Sequence, residues 1–167
     1  MMNDLFYQDY LRARPNASKF NPRDLRCHEL KYLYLSRKYD ATKNALLKKI
    51  TLKRILKCRR KYGIELNTAN IDGGILLVHP WCITMHNEAK IGKNATLFKG
   101  TTIGIISQGK RKGVPTIGDN VIIYANATIC GNVHVGNNVI ISAGAFVNFD
   151  VPDNSIVIGN PGTIHRR

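Results

Sequence analysis

Acidic residues are scarce in this chain: 11 Asp+Glu stand against 25 Lys+Arg, a formal net charge of +14 over 167 residues. The shortage is local. Residues 1–62 hold 17 Lys+Arg and 5 Asp+Glu, a net of +12, whereas residues 63–167 hold 8 and 6, a net of +2. That asymmetry divides the chain into a basic N-terminal region, 1–62, and a nearly neutral region, 63–167. Long apolar runs are missing too. Stretches such as Ile75-Leu76-Leu77-Val78 are far too short to span a bilayer, and Asp4 and Asp9 break up the N-terminus where a secretory signal would need an apolar run. The four cysteines, Cys27, Cys58, Cys82 and Cys130, form no CxxC pair and no metal-ligand spacing. They read as buried thiols of a protein kept in a reducing cytoplasm.

Residues 1–62 read as helical. Asn21-Pro22 is a helix start, with Asn as cap and Pro preformed for the first turn. Leu25, Leu30, Leu33 and Leu35 recur beyond it, and Asp40 is a candidate cap for the next helix. There Ala45, Leu46, Ile50, Ile55 and Leu56 supply an apolar stripe among lysines and arginines, and Gly63 is the expected stop.

From Ile64 onward the texture changes. Large aliphatics recur every six residues: Ile117, Ile123, Ile129, Val135, Ile141 and Val147, and before them Met85, Ile91, Leu97 and Ile103. Ile71, Leu77 and Ile83 keep the same spacing, with a register slip between Ile83 and Met85 and a second across 104–116. Four residues after each aliphatic comes a small or β-branched residue, among them Ala89, Ala95, Thr101, Val121, Ala127, Val133, Val139 and Ala145. Gly92-Lys93-Asn94, Gly118-Asp119-Asn120 and Gly136-Asn137-Asn138 supply corners, since Gly and Asn tolerate positive φ. Six residues are too few for a helical repeat and fit a short strand plus a corner. Stacked units make a parallel β-helix, a prism filled by the repeating aliphatic.

Four stretches carry a resemblance: GILLVHPW (74–81), EAKIGKNATLFKGTTIG (88–104), VPTIGDN (114–120) and IVIGNPGTI (156–164). They resemble the hexapeptide-repeat acyltransferases, whose fold is a left-handed parallel β-helix, and within them the serine acetyltransferase branch. The helical, basic N-terminus is similar to the short members that act in polysaccharide biosynthesis. The resemblance implies transfer of an acetyl group from acetyl-CoA, His79 as general base, and a homotrimer with active sites in the clefts between prisms. It also implies that Gly104, Ala125 and Ala143 face the pantetheine arm of CoA. Two positions depart from the amino-acid-specific members: Val78 stands where they carry Asp before the catalytic His, and Val114 where they carry His before the loop-ending Pro. Both departures argue against free L-serine as acceptor and for another hydroxyl, such as a sugar's.

The chemistry needs few parts. A positioned imidazole takes the proton of the attacking alcohol, a donor holds the oxyanion, and no metal is required. His79 lies two residues past Leu77, off the interior position, and should point outward. Trp81 and His86 are candidates for acceptor binding. Lys110 and Arg111 lie at the basic tip Gly109-Lys110-Arg111-Lys112-Gly113 of a loop running from Gly104 to Thr116, with CoA phosphates or a phosphorylated acceptor as partners. His134 falls at a turn and His28 in the helical part, both read as structural; His165, Arg166 and Arg167 are open.

The basic N-terminus has three readings: it caps the open end of the prism, it holds the protein at the anionic inner face of a membrane, or it binds nucleic acid, which lacks any supporting motif. Three functions remain in competition. They are O-acetylation of a sugar or polysaccharide precursor, serine O-acetylation for cysteine synthesis, and a non-catalytic β-helix binding module. A zinc enzyme on a similar prism fits poorly, because His79 and His86 are seven apart and no HxxxxH pair exists.

Overall fold

The computed structural model describes residues 4–166, so Arg167 lies outside the described residues. Three helices precede the repeat: α1 (Asp4–Ala13), α2 (His28–Ala41) and α3 (Ala45–Tyr62). Asn21-Pro22 opens only a 3₁₀ turn, Pro22–Arg26, in which the Asn21 side chain accepts from the Arg23 N–H; α2 begins after it. Asn44 rather than Asp40 caps α3, accepting from the Leu47 N–H. Asp40 instead accepts from the Thr68 hydroxyl at 2.6 Å. Gly63 closes α3 in the left-handed region at φ 66°. Leu30, Leu33 and Leu35 are buried and Leu25 partly so.

Of the expected stripe on α3 only Ile55 is buried. Thr51, Ile55 and Cys58 face inward, while Ala45, Leu46, Ile50 and Leu56 are exposed. The inward arc is bordered by Lys48 and Arg59, both half-buried, and the Arg59 Nε is itself buried. Of the cysteines, Cys58 alone is buried; Cys27 and Cys130 are half-buried and Cys82 is exposed, because its corner bulges outward.

Beyond Gly63 the chain winds into a three-sided prism. Successive strands fall in turn on three sheets, one of six strands, one of four and one of three, and pair with strands one coil away. All ladders are parallel except the last, where Ser155–Ile158 pairs antiparallel with the closing strand Thr163–Arg166. Leu77, Leu97, Ile123, Ile141 and Val157 form one interior column, Met85, Ile103, Ile129 and Val147 the second, and Ile71, Ile91, Ile117, Val135 and Val151 the third. All are 4% exposed or less. Burial of each such side chain contributes about 1.5–3 kcal/mol. The small residues four positions on, from Ala89 to Ala145, are buried beside them.

Two sites break the period. Ile83 belongs to the small-residue column, level with Thr101, and Met85 holds the interior position level with Ile103. The first slip therefore lies in the corner His79–Cys82. The second is the loop after strand Thr102–Gly104.

One corner shows why its residues recur. Asn94, Asn120, Asn138 and Asn154 take positive φ and hydrogen-bond in a ladder of side-chain amides at 3.1–3.2 Å. The glycine two residues before each of the first three, Gly92, Gly118 and Gly136, serves another need. A Cβ at Gly118 would meet the Gly136 carbonyl carbon at 2.9 Å, so close stacking of coils requires its absence.

The first coil has no coil beneath it, and the helices take that place. Asp9 and Arg37, 0% and 1% exposed, form an ion pair at 3.0 Å. Asp9 accepts from the Gly74 and Ile75 N–H groups; Arg37 donates to the carbonyls of Thr68, Ile71 and Asp72. Burial pushes the Asp9 carboxyl up, against the opposing pull of Arg37 and the two N–H groups. Tyr32 adds a reciprocal pair, its hydroxyl donating to the Leu66 carbonyl and accepting from the Leu66 N–H.

Candidate active site

His79 follows strand Leu76–Val78 and is exposed at a corner rather than on a prism face. It sits at φ 48°, and Cys82, three residues on, at φ 54°. Left-handed backbone at two non-glycine residues is costly and persists only where neighbours enforce it. Here the Trp81 N–H bonds back to the His79 carbonyl, the Cys82 N–H is held by the Tyr62 carbonyl below, and the Trp81 carbonyl accepts from Gly100 above. The two extra residues thus form a pinned bulge that lifts the imidazole off the prism.

Trp81 is 47% exposed and rests on the helical region. Its ring meets Tyr62 edge-on at 5.2 Å and lies 5.8 Å from His28, which stacks on Tyr62 at 4.5 Å. Sequence reasoning missed His28 and Tyr62 as part of this site, and read His28 as merely structural. No local pattern announces them, since the cluster joins residues 28, 62 and 81.

The same edge of the prism continues upward through Lys99, Ala125 and Ala143. The Asn126 N–H bonds to the Lys99 carbonyl, and the Gly144 N–H to the Ala125 carbonyl. The N–H groups of Ala125 and Ala143 themselves have no partner among the described residues. Ala143 is exposed, and a Cβ at Gly144 would meet nothing within 4 Å. An edge with small side chains and unpaired amides is open to an extended, amide-bearing ligand.

The remaining predicted residues lie across the second sheet, at its far edge. Gly104 ends strand Thr102–Gly104 and borders a cleft of about 390 Å³ with Arg59, Glu65, Thr84, His86 and Thr102. His86 is half-buried, its Nδ1 accepting from the Glu88 N–H at 3.3 Å. The Arg59 Nε is buried with no partner among the described residues. His134 opens strand His134–Val135 rather than sitting in a turn.

The loop 105–115 is less free than its glycines imply. Ile106 and Gly113 pair across it, and the Arg111 carbonyl accepts from the Asn132 N–H. Arg111 also reaches Asp150 at 3.0 Å, so it is occupied where a free phosphate grip was expected, while Lys110 is exposed. The His134 N–H and then Arg111 hold the Asp150 carboxyl below its usual range. A lowered folded pKa contributes stability above the ordinary carboxylate range and loses it as pH falls through the lowered value. The tether is therefore intact at neutral pH and released in acid. Because both partners are exposed, Arg111→Ala should cost less than about 1 kcal/mol of global stability. Trypsin should nonetheless cut after Lys110 and Lys112 several times faster in that variant; an unchanged rate would mean Arg111 does not anchor the loop.

One chain therefore joins His79, Trp81, Ala125 and Ala143 on one edge and places His86, Gly104, Lys110 and Arg111 at the other. Among the described residues no group of three or more His, Cys, Asp or Glu side chains is placed to hold a metal ion.

Residues 115–148 match the bacterial transferase hexapeptide model (six repeats). A serine acetyltransferase from Staphylococcus aureus is 37% identical over 103 residues, covering 61% of this chain and 48% of that one. The chain spans about half the length of the curated relatives it matches. The structure of a serine acetyltransferase from Neisseria gonorrhoeae superposes with a TM-score of 0.79 at 25% identity, covering 99% of this chain and 66% of that one. A serine acetyltransferase in complex with CoA superposes at 0.78 with 22% identity, covering 97% and 68%. The match in fold makes the prism a left-handed β-helix.

Proposed function

We propose that this serine acetyltransferase-like left-handed β-helix transfers an acetyl group from acetyl-CoA to a hydroxyl of a sugar or polysaccharide precursor. The observation that carries the reading is the pinned corner: His79 is exposed on a bulge of the prism, on the same edge as the open amides of Ala125 and Ala143.

His79 takes the proton of the acceptor hydroxyl as that oxygen bonds to the thioester carbonyl carbon. The negative charge gathers on the carbonyl oxygen, where a backbone N–H of the edge is the available donor. The carbon–sulfur bond then breaks, and the thiolate takes the proton from the imidazolium to leave as CoA thiol. Ala125 and Ala143 hold the pantetheine arm through their amides. Gly104 and Lys110, from the far edge, serve the CoA of a neighbouring copy in a homotrimer, in which each cleft takes its His79 from one prism and its loop from the next.

The acceptor reading rests on the corner itself. Apart from His79, which is committed to the proton transfer, Val78 to Thr84 contains no acidic or basic side chain to pair with the ammonium and carboxylate of a free amino acid. It offers instead the exposed face of Trp81, and flat aromatic surface suits a sugar ring. L-Serine is the second reading, favoured by the names of the relatives.

Acetyl-CoA should be offered with L-serine and with a panel of nucleotide sugars and glycans, and the thiol counted. Release with a sugar and none with serine supports the proposal. Release with serine alone overturns the sugar reading and places the chain in serine acetylation.

A further inference from the structure

Helix α3 carries eight Lys/Arg residues and no Asp or Glu. None of the eight forms an ion pair among the described residues. Interleaved with them, Leu46, Leu47, Ile50, Leu52 and Leu56 are 67%, 46%, 43%, 38% and 37% exposed. Leu46, Leu47 and Ile50 share one side of the helix, whereas Leu52 and Leu56 lie round it toward Arg59; exposed aliphatics grouped like the first three call for a partner. Beside them, between α2 and α3, runs a groove of about 600 Å³, floored by Tyr34, Leu35 and Cys58 and rimmed by Lys31, Arg54 and Lys61.

We propose that the face of α3 carrying Leu46, Leu47 and Ile50, with Lys53, Arg54 and Lys57 among them, docks on an anionic lipid bilayer, with these aliphatics sunk among the headgroups and these cations on lipid phosphates. Two features of the page choose this occupant. The charge is uniformly positive, which disfavours a second copy of the same face, because two such helices would meet cation to cation. The aliphatics are out of place against nucleic acid, whose recognition rests on phosphate contacts and base edges and leaves them in water. A bilayer surface satisfies both sets at once: apolar side chains enter the acyl boundary, and lysines and arginines stay at headgroup level. No helix of the described residues is long and apolar enough to cross a membrane, so the contact is peripheral. The inference does not depend on the acetyl-transfer reading. It gives that reading a place to act, on acceptors carried at a membrane.

The full-length chain should be sedimented with vesicles of phosphatidylcholine containing phosphatidylglycerol, and with phosphatidylcholine alone. Binding to the anionic vesicles and not to the neutral ones is expected. Lys53→Glu with Lys57→Glu should weaken it by at least roughly 25-fold, at about fivefold per cation. Leu46→Ser with Ile50→Ser should weaken it roughly tenfold, from the apolar area withdrawn. Both pairs are solvent-facing, so circular dichroism and melting should match the wild type. Failure of the folded wild type to bind anionic vesicles at low salt overturns the proposal. So does binding that ignores the Leu46 and Ile50 changes and is matched by duplex DNA, which would make the face a polyanion site. A drop in particle mass on those changes would make it an interface between copies.

Discussion

Replacing Arg37 by alanine should destabilise the protein by about 3–5 kcal/mol. The guanidinium is buried, donates to Asp9 and to three main-chain carbonyls, and ties α2 to the coil below which no other coil lies. Its removal leaves the Asp9 carboxylate as an uncompensated buried charge and strands the carbonyls of Thr68, Ile71 and Asp72. Each stranded group costs about 1–3 kcal/mol, partly recovered if water enters. For a chain of this length the melting temperature should fall by about 6–20 °C. The comparison that isolates the charge is Asp9→Leu with Arg37→Met. The double variant leaves no lone ion and should lose less than Arg37→Ala alone, because apolar replacement of both partners avoids the unpaired charge. A loss under about 1 kcal/mol for Arg37→Ala would mean that the helices lie beside the first coil without completing its hydrogen bonding, and the capping account would fall.

The substitution His79→Ala should act on rate and leave the fold intact. A positioned imidazole is worth about 10²–10⁴-fold, and kcat and kcat/KM should fall together by that factor, because the proton transfer is made only in the transition state. Since the ring is exposed, the change in stability should stay within about 0.5 kcal/mol. His79→Asn is the control for backbone. Asparagine tolerates the left-handed region held at φ 48°, so a loss as large as alanine's assigns the effect to the imidazole rather than to a relaxed corner.

The two predictions differ in how far they could be read from the chain. His79 was legible because the repeat is local: six residues suffice to declare a strand and a corner, and a slip in the count marks where the chain leaves the prism. The spacing alone puts the slip after Ile83, whereas it lies in the corner His79–Cys82, because an isoleucine fits either the interior or the small-residue column. Arg37 and Asp9 gave no signal as a pair, since residues 28 apart on different helices meet only in the packed cap. On α3 the aliphatic spacing points to a different face from the buried one at every position but Ile55. Aliphatic periodicity says which residues gain from burial, but which arc packs inward is set by the neighbouring helix and first coil, and Leu46, Ile50 and Leu56 are left outside. The platform of His28 and Tyr62 beneath Trp81 likewise exists only once the helices dock.

The measurement that bears most directly on the account is CoA-thiol release from acetyl-CoA by the wild type and by His79→Ala, with a sugar acceptor present. Acceptor-dependent release in the wild type, reduced about 10²–10⁴-fold in the variant with melting unchanged, is the predicted result. Equal release by both proteins, or none by either with any acceptor, would contradict it and leave a β-helix whose exposed His79 corner serves binding alone.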